Sequence, residues 1–356
     1  MNIGSLVRPN IRKLKPYSSA RSLIKQDNQV LMDANENPFS ELGRYPDPKQ
    51  TDLREALAEY YKIPSDSILP GNGSDELIDL LFRVFTEPGR SNVLIPQPTY
   101  GMYEVAANIQ NCYIKEVMLD NQFQPDADTI LEAADKETKM IFLCSPNNPT
   151  GNILDTNTIE KILISFNGLV IIDQAYLEFS NSEPWRNRIK EFPNLIVLQT
   201  FSKAWGMAGI RGGLAFTNPE IIQWLMRIKL PYNLNQLTQR QMTQALKTAP
   251  VMKNWVNTII NERNAMIKAL NTISAVVTVY PSDANYLLVK FRNAEQIYKQ
   301  LKKRGIIIRD RSNMKGCKST LRISIGTPRE NSLLLKTLQN LNTTENQPTE
   351  KTPSVQ

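Results

Sequence analysis

The 356-residue sequence contains no histidine. Catalysis by a Ser-His-Asp or Cys-His arrangement is therefore excluded, as is any metal site with histidine ligands. The three cysteines, Cys112, Cys144 and Cys317, lie far apart and form no C-x-x-C motif, so we expect free buried thiols and no metal. The chemistry must then come from lysine, tyrosine, serine or carboxylate side chains, or from a cofactor.

Long apolar runs are also missing. No stretch of about 18 apolar residues is present, and residues 1–10 have no apolar segment typical of a signal peptide. We therefore predict a cytoplasmic protein with no membrane partner. The net charge is +7, but the basic segments lack the interleaved aromatics and helix-turn-helix pattern of nucleic-acid modules, so we predict no nucleic-acid partner. A minority of these charges are interpreted as steering a phosphorylated substrate.

The chain is long enough for two domains. Helices are predicted over residues 51–61 and from Ser74, as N-cap, onward. Short apolar runs then recur, separated by helix-length segments, and they cover residues 93–96, 140–144, 169–173, 195–199 and 213–216. This pattern predicts buried, mostly parallel strands of an α/β sheet.

The second half of the chain has a different pattern. A long helical stretch is predicted over residues 218–272, and strands over 284–291, 305–309 and 321–325 surround a helix over 294–304. This arrangement predicts a smaller α+β domain. The predicted boundaries are an N-terminal arm at 1–45, a large domain at 46–250, a small domain at 251–342 and a polar, disordered tail at 343–356.

Polar side chains follow the predicted strands at the edge where open α/β sheets bind ligands. They are an amide, a carboxylate, two phenols, two hydroxyls and an amine, from Asn148, Asp173, Tyr100, Tyr176, Thr200, Ser202 and Lys203. Taken singly, each has an ordinary explanation as a strand cap, a turn residue or a solvated side chain. Together they supply what pyridoxal 5'-phosphate needs, which is a lysine for a Schiff base, a carboxylate for the ring nitrogen and donors for the ring oxygen.

Several segments of the sequence resemble those of a known enzyme family. Asn-Asn-Pro-Thr-Gly at 147–151 and Ser-Lys-Ala at 202–204 resemble those of fold-type I pyridoxal-phosphate-dependent aminotransferases of class II. Residues 33–38, Pro-Thr-Tyr-Gly-Met-Tyr at 98–103 and the region of Arg309 are similar to those of the histidinol-phosphate aminotransferase family. The resemblance implies a three-layer αβα large domain with a mostly parallel seven-stranded sheet plus a smaller α+β domain. It also implies an N-terminal arm that contributes to the small domain and to a dimer contact.

The resemblance further implies a role for each matching residue. Lys203 would hold the cofactor and then move the substrate proton, while Asp173 would keep the ring nitrogen protonated. Tyr176 and Asn148 would bond the ring oxygen, and Tyr100 would stack on the ring. The cofactor phosphate would be bound by Ser74, Asp75, Thr200, Ser202 and Arg211, and by Tyr45 from the neighbouring subunit of a homodimer.

The substrate residues implied by the resemblance are Arg322, which would bind a substrate carboxylate or phosphate, together with Tyr17, Asn35, Tyr232 and Arg309. The predicted reaction interconverts L-histidinol phosphate plus 2-oxoglutarate and imidazole acetol phosphate plus L-glutamate by a ping-pong mechanism in histidine biosynthesis. A threonine-phosphate decarboxylase and an aromatic amino-acid aminotransferase remain open, because all three families keep Lys203, Asp173 and Arg211 in the same roles. The sequence has neither a G-x-G-x-x-G motif nor a P-loop, which excludes the two common nucleotide-binding folds.

Overall fold

The computed structural model describes residues 2–17 and 30–345, which form two sheets with helices packed against them. The strands are β1 (Ile68–Asn72), β2 (Asn92–Gln97), β3 (Tyr113–Met118), β4 (Thr138–Cys144), β5 (Leu169–Asp173), β6 (Leu195–Thr200), β7 (Gly212–Thr217), β8 (Val276–Val279), β9 (Tyr286–Phe291), β10 (Arg309–Asp310) and β11 (Thr320–Ser324). The helices are α1 (Ile3–Leu6), α2 (Pro9–Lys13), α3 (Thr51–Tyr61), α4 (Gly73–Phe85), α5 (Met102–Ile109), α6 (Ala127–Ala133), α7 (Thr156–Ser165), α8 (Pro219–Ile228), α9 (Gln236–Lys247), α10 (Ala249–Leu270), α11 (Ala294–Lys303) and α12 (Pro328–Glu345).

The larger sheet has seven strands in the order β1-β7-β6-β5-β4-β2-β3. Strands β2 to β6 pair in parallel, whereas β7 runs antiparallel to both of its neighbours. Parallel strands are joined by crossovers, so their C-terminal ends meet at one edge of the sheet. The neighbouring strands β4, β5 and β6 therefore deliver the segments that follow them to the same place.

Both faces of this sheet are covered by helices. Side chains alternate along a strand, and on β5 Val170 and Ile172 belong to the apolar cluster that includes α3, α6, α7 and α9. Leu169 and Ile171 belong to the opposite cluster, which includes α4, α5 and α8. The result is a three-layer αβα unit.

A smaller unit follows. Its antiparallel sheet, β10-β11-β9-β8, packs against α10, α11 and α12 around a separate apolar cluster. Helix α10 connects the two units, because Met252 near its start lies in the large core and Met266 near its end lies in the small one. The predicted fold class is therefore confirmed.

The predicted bounds of helices and strands agree closely with the structure where a short hydrophobic pattern marks the element. Helix α3 and strand β5 have the predicted limits, and the other predicted strands of the large sheet are longer by one or two residues at an end. Two strands of that sheet were not predicted. Strand β1 contains Pro70 and Gly71, which are unusual in strands, and β3 is an edge strand with exposed Tyr113 and Met118.

The predicted N-cap of α4 was wrong. The helix begins at Gly73 with Asn72 as N-cap, so Ser74 lies in the first turn. The carboxylate of Glu76, the fourth residue of the helix, accepts a hydrogen bond of 2.5 Å from the Asn72 N–H and so satisfies the donor of the N-cap residue.

Two predicted elements in the second half also differ from the structure. The helical stretch at 218–272 is three helices, because Pro231 follows α8 and Pro250 lies in the first turn of α10. The strand predicted at 305–309 is reduced to Arg309–Asp310, since Gly305 has a φ of +78° and ends α11 in a left-handed turn.

The last helix extends beyond the predicted end of the small domain at residue 342. Helix α12 runs to Glu345, and the rest of the predicted tail, residues 346–356, lies outside the described residues. Within residues 2–17 and 30–345, none of the helices has the length and apolar composition needed to cross a bilayer.

Candidate active site

A cavity of about 370 Å³ lies at the C-terminal ends of β4, β5 and β6, a size typical of small-molecule sites. Most of the predicted site residues line it. From the large domain these are Ser74, Asp75, Tyr100, Asn148, Asp173, Tyr176, Thr200, Ser202, Lys203 and Arg211, and from the small domain Arg309 and Arg322. The cavity therefore lies between the two units.

Asp173 is the last residue of β5 and is buried. Burial raises the pKa of its carboxyl group, whereas hydrogen bonds from the Tyr103 hydroxyl (2.7 Å) and the Ala175 N–H (3.0 Å) act in the opposite direction. A buried carboxylate with two donors is well held, and it can pair with a protonated ring nitrogen.

Lys203 lies three residues beyond the end of β6, with its amine 5.7 Å from the centroid of the Tyr176 ring. Its side chain is open to the water of the cavity but is partly desolvated by the surrounding walls. This desolvation and the charge of Arg322 lower the pKa of Lys203, while Asp173 opposes them. A lowered pKa increases the neutral fraction of the amine, which is the form that attacks carbonyl carbon and accepts protons.

Asn148, Tyr176 and Arg322 form a chain of contacts across the cavity wall. The Asn148 amide donates to the Tyr176 hydroxyl (3.4 Å) and accepts a hydrogen bond of 2.6 Å from the Arg322 guanidinium. Arg322 also lies over the ring of Tyr286, 5.1 Å from its centroid. The large domain and the small domain therefore share one polar network.

Another part of the cavity wall has the composition of an anion site. The first turn of α4 presents backbone N–H groups there, and Arg211 approaches from the loop before β7, 3.2 Å from the carboxylate of Asp75. Asp75 also accepts a hydrogen bond of 3.1 Å from the Tyr100 hydroxyl. A phosphate fits this combination of helix N-terminus, arginine and the Thr200 and Ser202 hydroxyls.

Two glycines permit this close approach. A Cβ on Gly213 would lie 2.3 Å from the backbone carbon of Gly73, and a Cβ on Gly73 would lie 2.6 Å from the Arg211 guanidinium. Gly73 also has a φ of +77°, which favours glycine. The start of α4 can therefore contact β7 directly.

Four predicted residues lie elsewhere. Asn35, Tyr45 and Tyr232 line a second cavity of about 570 Å³, where the Tyr45 and Tyr232 rings stack with centroids 4.4 Å apart. Tyr17 lies at the end of the described arm with an exposed side chain. Within one chain, these four residues are not brought to the cavity of Lys203.

Two contributors were not predicted. Tyr103 contacts Asp173 from the fully buried face of α5, where helical periodicity assigns it to the core. Arg311 lines the cavity beside Arg309 and Arg322. The sequence could have indicated Arg311, because it lies two residues after Arg309 and alternate residues of a strand share a side.

The donor set suits pyridoxal phosphate better than a metal. The cavity provides the lysine, the carboxylate, the phenol and amide, and the anion site that this cofactor requires. Within residues 2–17 and 30–345, no group of three or more cysteines and carboxylates is placed to hold a metal ion.

Comparison with known proteins agrees with this geometry. The family model for aminotransferases of class I and II matches residues 17–338. Histidinol-phosphate aminotransferases from Parabacteroides distasonis and Christiangramia forsetii are 51% and 50% identical to the chain. Each match covers 96% of this chain, and 99% and 98% of the respective relative.

Solved structures show the same relationship. The histidinol-phosphate aminotransferase of Clostridium acetobutylicum superimposes with a TM-score of 0.79 at 27% identity, covering 85% of this chain and 92% of that one. The L-threonine-O-3-phosphate decarboxylase of Porphyromonas gingivalis superimposes with a TM-score of 0.73 at 26% identity, covering 84% and 91%. From the family match and these relatives, we conclude that the chain belongs to the class I and II aminotransferases, within their histidinol-phosphate aminotransferase group.

Proposed function

We propose that this enzyme transfers the amino group between L-histidinol phosphate and 2-oxoglutarate with pyridoxal 5'-phosphate, giving imidazole acetol phosphate and L-glutamate. The observation that carries the proposal is one cavity with Lys203 and Asp173 at its centre and Arg309 and Arg322 at its small-domain side. The substrate is proposed from the two relatives named above, which are histidinol-phosphate aminotransferases. The reaction is a step of histidine biosynthesis, and three free buried cysteines suit a reducing cytoplasm.

The cofactor, when bound, supplies an electron sink for the substrate carbon. Asp173 would hold the proton on the ring nitrogen of the cofactor, and Asn148 and Tyr176 would hydrogen-bond its ring oxygen. Tyr100 would cover the ring. The cofactor phosphate would be held at the α4 N-terminus by Ser74 and the backbone N–H of Asp75, together with the side chains of Thr200, Ser202 and Arg211.

Lys203 has two tasks in this proposal. Its amine would hold the cofactor covalently between turnovers, and the released amine would accept the substrate proton and return it. Its lowered pKa favours the neutral form needed for both. Histidine, the usual proton carrier near neutral pH, is absent from the sequence, so the lysine takes this role.

The small-domain side of the cavity selects the substrates. Arg322 is proposed to bind the carboxylate of glutamate in one half-reaction and the phosphate ester in the other, and Arg309 assists with the phosphate. In a ping-pong mechanism the two substrates occupy the same site in turn, so one site would bind the carboxylate of glutamate and the phosphate ester alternately.

The remaining predicted residues are assigned to a homodimer. Tyr45 is stacked on Tyr232 in a cavity separate from that of Lys203 in the same chain, so we propose that it reaches the cofactor phosphate of the neighbouring subunit. Tyr17, Asn35 and Tyr232 are proposed to contact the substrate across the same interface. Exposed Phe39, Leu42 and Leu237 near this cavity supply apolar surface for the contact.

Mixing two inactive variants tests this arrangement. In a hybrid dimer of Lys203→Ala and Tyr45→Ala chains, one site receives an intact Lys203 and an intact Tyr45 only if the tyrosine acts across the interface. Recovery of activity on mixing and subunit exchange supports the dimer, with each homodimer alone as control. Failure to recover activity, once exchange is verified by mass spectrometry, counts against it.

The substrate is tested by visible absorption of the holoenzyme. Addition of L-glutamate and, separately, L-histidinol phosphate is expected to shift the cofactor band, and Lys203→Ala is expected to lose the covalent attachment seen by mass spectrometry after borohydride reduction. Carbon dioxide release from phosphothreonine without a response to glutamate would instead identify a decarboxylase. A response to aromatic amino acids but not histidinol phosphate would identify an aromatic aminotransferase.

A further inference from the structure

Three arginines project from one side of the small sheet into the cavity. Arg309 of β10 pairs with Arg322 of β11, and the Arg311 N–H donates to the Thr320 carbonyl at 3.0 Å, which extends the same ladder by one residue. Residues two apart on a strand share a side, so Arg309, Arg311 and Arg322 face the same way. All three line the cavity of Lys203.

Among the described residues, these three guanidinium groups have no carboxylate in ion-pair contact, although Asp75 and Asp173 line the same cavity. Asp310 lies between two of them but alternates to the other side, where its carboxylate accepts the Ser312 N–H at 2.8 Å. The Nε atoms of Arg311 and Arg322 are buried and have no hydrogen-bond partner.

This arrangement is costly without a ligand. Like charges opposite each other on paired strands repel, and a buried donor without an acceptor loses its hydration. The pKa of the Arg311 guanidinium is lowered first by burial and then by the charges of Arg322 and Arg309. The same loss of hydration and the same repulsion make the cluster costly. An anion in the cavity would supply both the missing charge and the missing acceptors.

The count of arginines indicates which anion. A carboxylate has one negative charge and is fully matched by one bidentate guanidinium. A phosphate monoester has a charge near −2 above its second pKa of about 6, and it has three acceptor oxygens. Arg322 already gives one of its hydrogen bonds to Asn148, so a dianion needs further donors.

We propose that Arg311 is a specificity residue, which binds the substrate phosphate together with Arg309 and Arg322 and gives this site its preference for a dianion over a monoanion. The inference rests on the proposed function, since it refines the anion subsite of the same cavity. Arg311 positions the phosphate group and takes no part in proton transfer.

Steady-state kinetics of Arg311→Gln provide the first test. We expect KM for L-histidinol phosphate to rise by about 10- to 100-fold, as for loss of a charge-assisted hydrogen bond, and KM for L-glutamate to change by less than about threefold. Arg304→Gln, an exposed arginine bonded to Gln300, is the matched control and should change neither value. Equal rises in the two KM values would contradict the proposal.

Inhibition of the glutamate half-reaction by phenyl phosphate and by phenyl sulfate provides the second test. These anions have similar shape but charges near −2 and −1, and the assay does not require that histidinol phosphate be a substrate. The wild-type holoenzyme should prefer phenyl phosphate, increasingly as pH rises through about 6, and Arg311→Gln should lose at least about tenfold of this preference. Arg311→Lys should retain part of it.

The two assays separate failure of the inference from failure of the proposed function. If Arg311→Gln keeps the wild-type preference for phenyl phosphate, Arg311 is not the specificity residue. If the wild type does not turn over histidinol phosphate but shows the Arg311-dependent preference, the proposed substrate is wrong and the dianion site stands.

Discussion

The hydroxyl of Tyr103 donates a hydrogen bond of 2.7 Å to Oδ2 of Asp173, at a point where both groups are buried beneath the catalytic cavity. The bond reaches from α5 to the end of β5, across 70 residues of sequence. It favours the charged form of the carboxylate, because a donor stabilises the anion and so opposes the desolvation that raises the pKa of Asp173. In the proposed mechanism, Tyr103 would therefore act on the cofactor through Asp173.

Removal of this bond by Tyr103→Phe should weaken cofactor binding. A hydrogen bond to a charged group contributes about 1.5–3 kcal/mol, so the Kd for pyridoxal phosphate is expected to rise by roughly 10- to 100-fold. Fluorescence titration of the apoenzyme measures this change. Tyr113→Phe, at an exposed position on β3, is the control, and equal affinity in both variants would show that the bond does not support the site.

Replacement of Gly213 by alanine should displace the start of α4. The new Cβ would meet the backbone of Gly73 and Ser74 at 2.3 and 2.4 Å, so the helix or the strand must move. Overpacking of this kind costs about 1–3 kcal/mol, and the anion site at the α4 N-terminus should be lost with it. Urea unfolding and cofactor titration measure the two effects.

Gly209→Ala is the matched control for that substitution, because a Cβ on Gly209 meets nothing within 4 Å. A Gly213→Ala enzyme with unchanged cofactor affinity would contradict the role assigned to the close approach.

Replacement of Lys229 by methionine should destabilise the fold near the second cavity. Its buried ammonium donates to the carbonyl oxygens of Pro48 (3.0 Å) and Leu230 (3.1 Å) and to the amide oxygen of Asn233 (2.9 Å). Unpaired buried acceptors cost about 1–3 kcal/mol, so the free energy of unfolding should fall by a similar amount. Lys247→Met, on the exposed side of α9, should leave it unchanged.

Glu178 should make stability fall as pH rises toward neutrality. Burial raises the pKa of its carboxyl group to about 7, against 4.5 for a solvated glutamate. Between these values the folded chain binds more protons than the unfolded chain, so the free energy of unfolding decreases with pH, and the full loss is reached above about pH 7. Its size is on the order of 3 kcal/mol, from about 1.36 kcal/mol for each pKa unit.

Glu178→Gln removes that titration. The variant should be more stable than wild type at pH 8, and its unfolding free energy should be flatter between pH 5 and 7. Urea unfolding at several pH values measures both, with exposed Glu183→Gln as control. A wild-type profile that rises over this range would contradict the assignment.

The sequence alone determined the features that depend on local pattern. Helix Thr51–Tyr61 and strand Leu169–Asp173 were predicted with their observed bounds, because amphipathic periodicity and a short apolar run report burial directly. The meeting of most candidate site residues in one cavity was also predicted, because the ends of neighbouring parallel strands lie at one edge of a sheet.

The tertiary structure decided what depends on contacts between distant segments. From the sequence, Tyr103 is expected to be a core residue of a helix and Arg311 a surface basic residue. Only the folded chain places Tyr103 against Asp173, and Arg311 in the cavity with Arg309 and Arg322. Edge strand β3 has no alternating apolar pattern, because only one of its six residues is buried, and its pairing with β2 became visible only in the folded chain. The separation of Tyr45 from Lys203 into two cavities was likewise visible only in three dimensions, because distance in space follows from packing rather than from spacing along the chain.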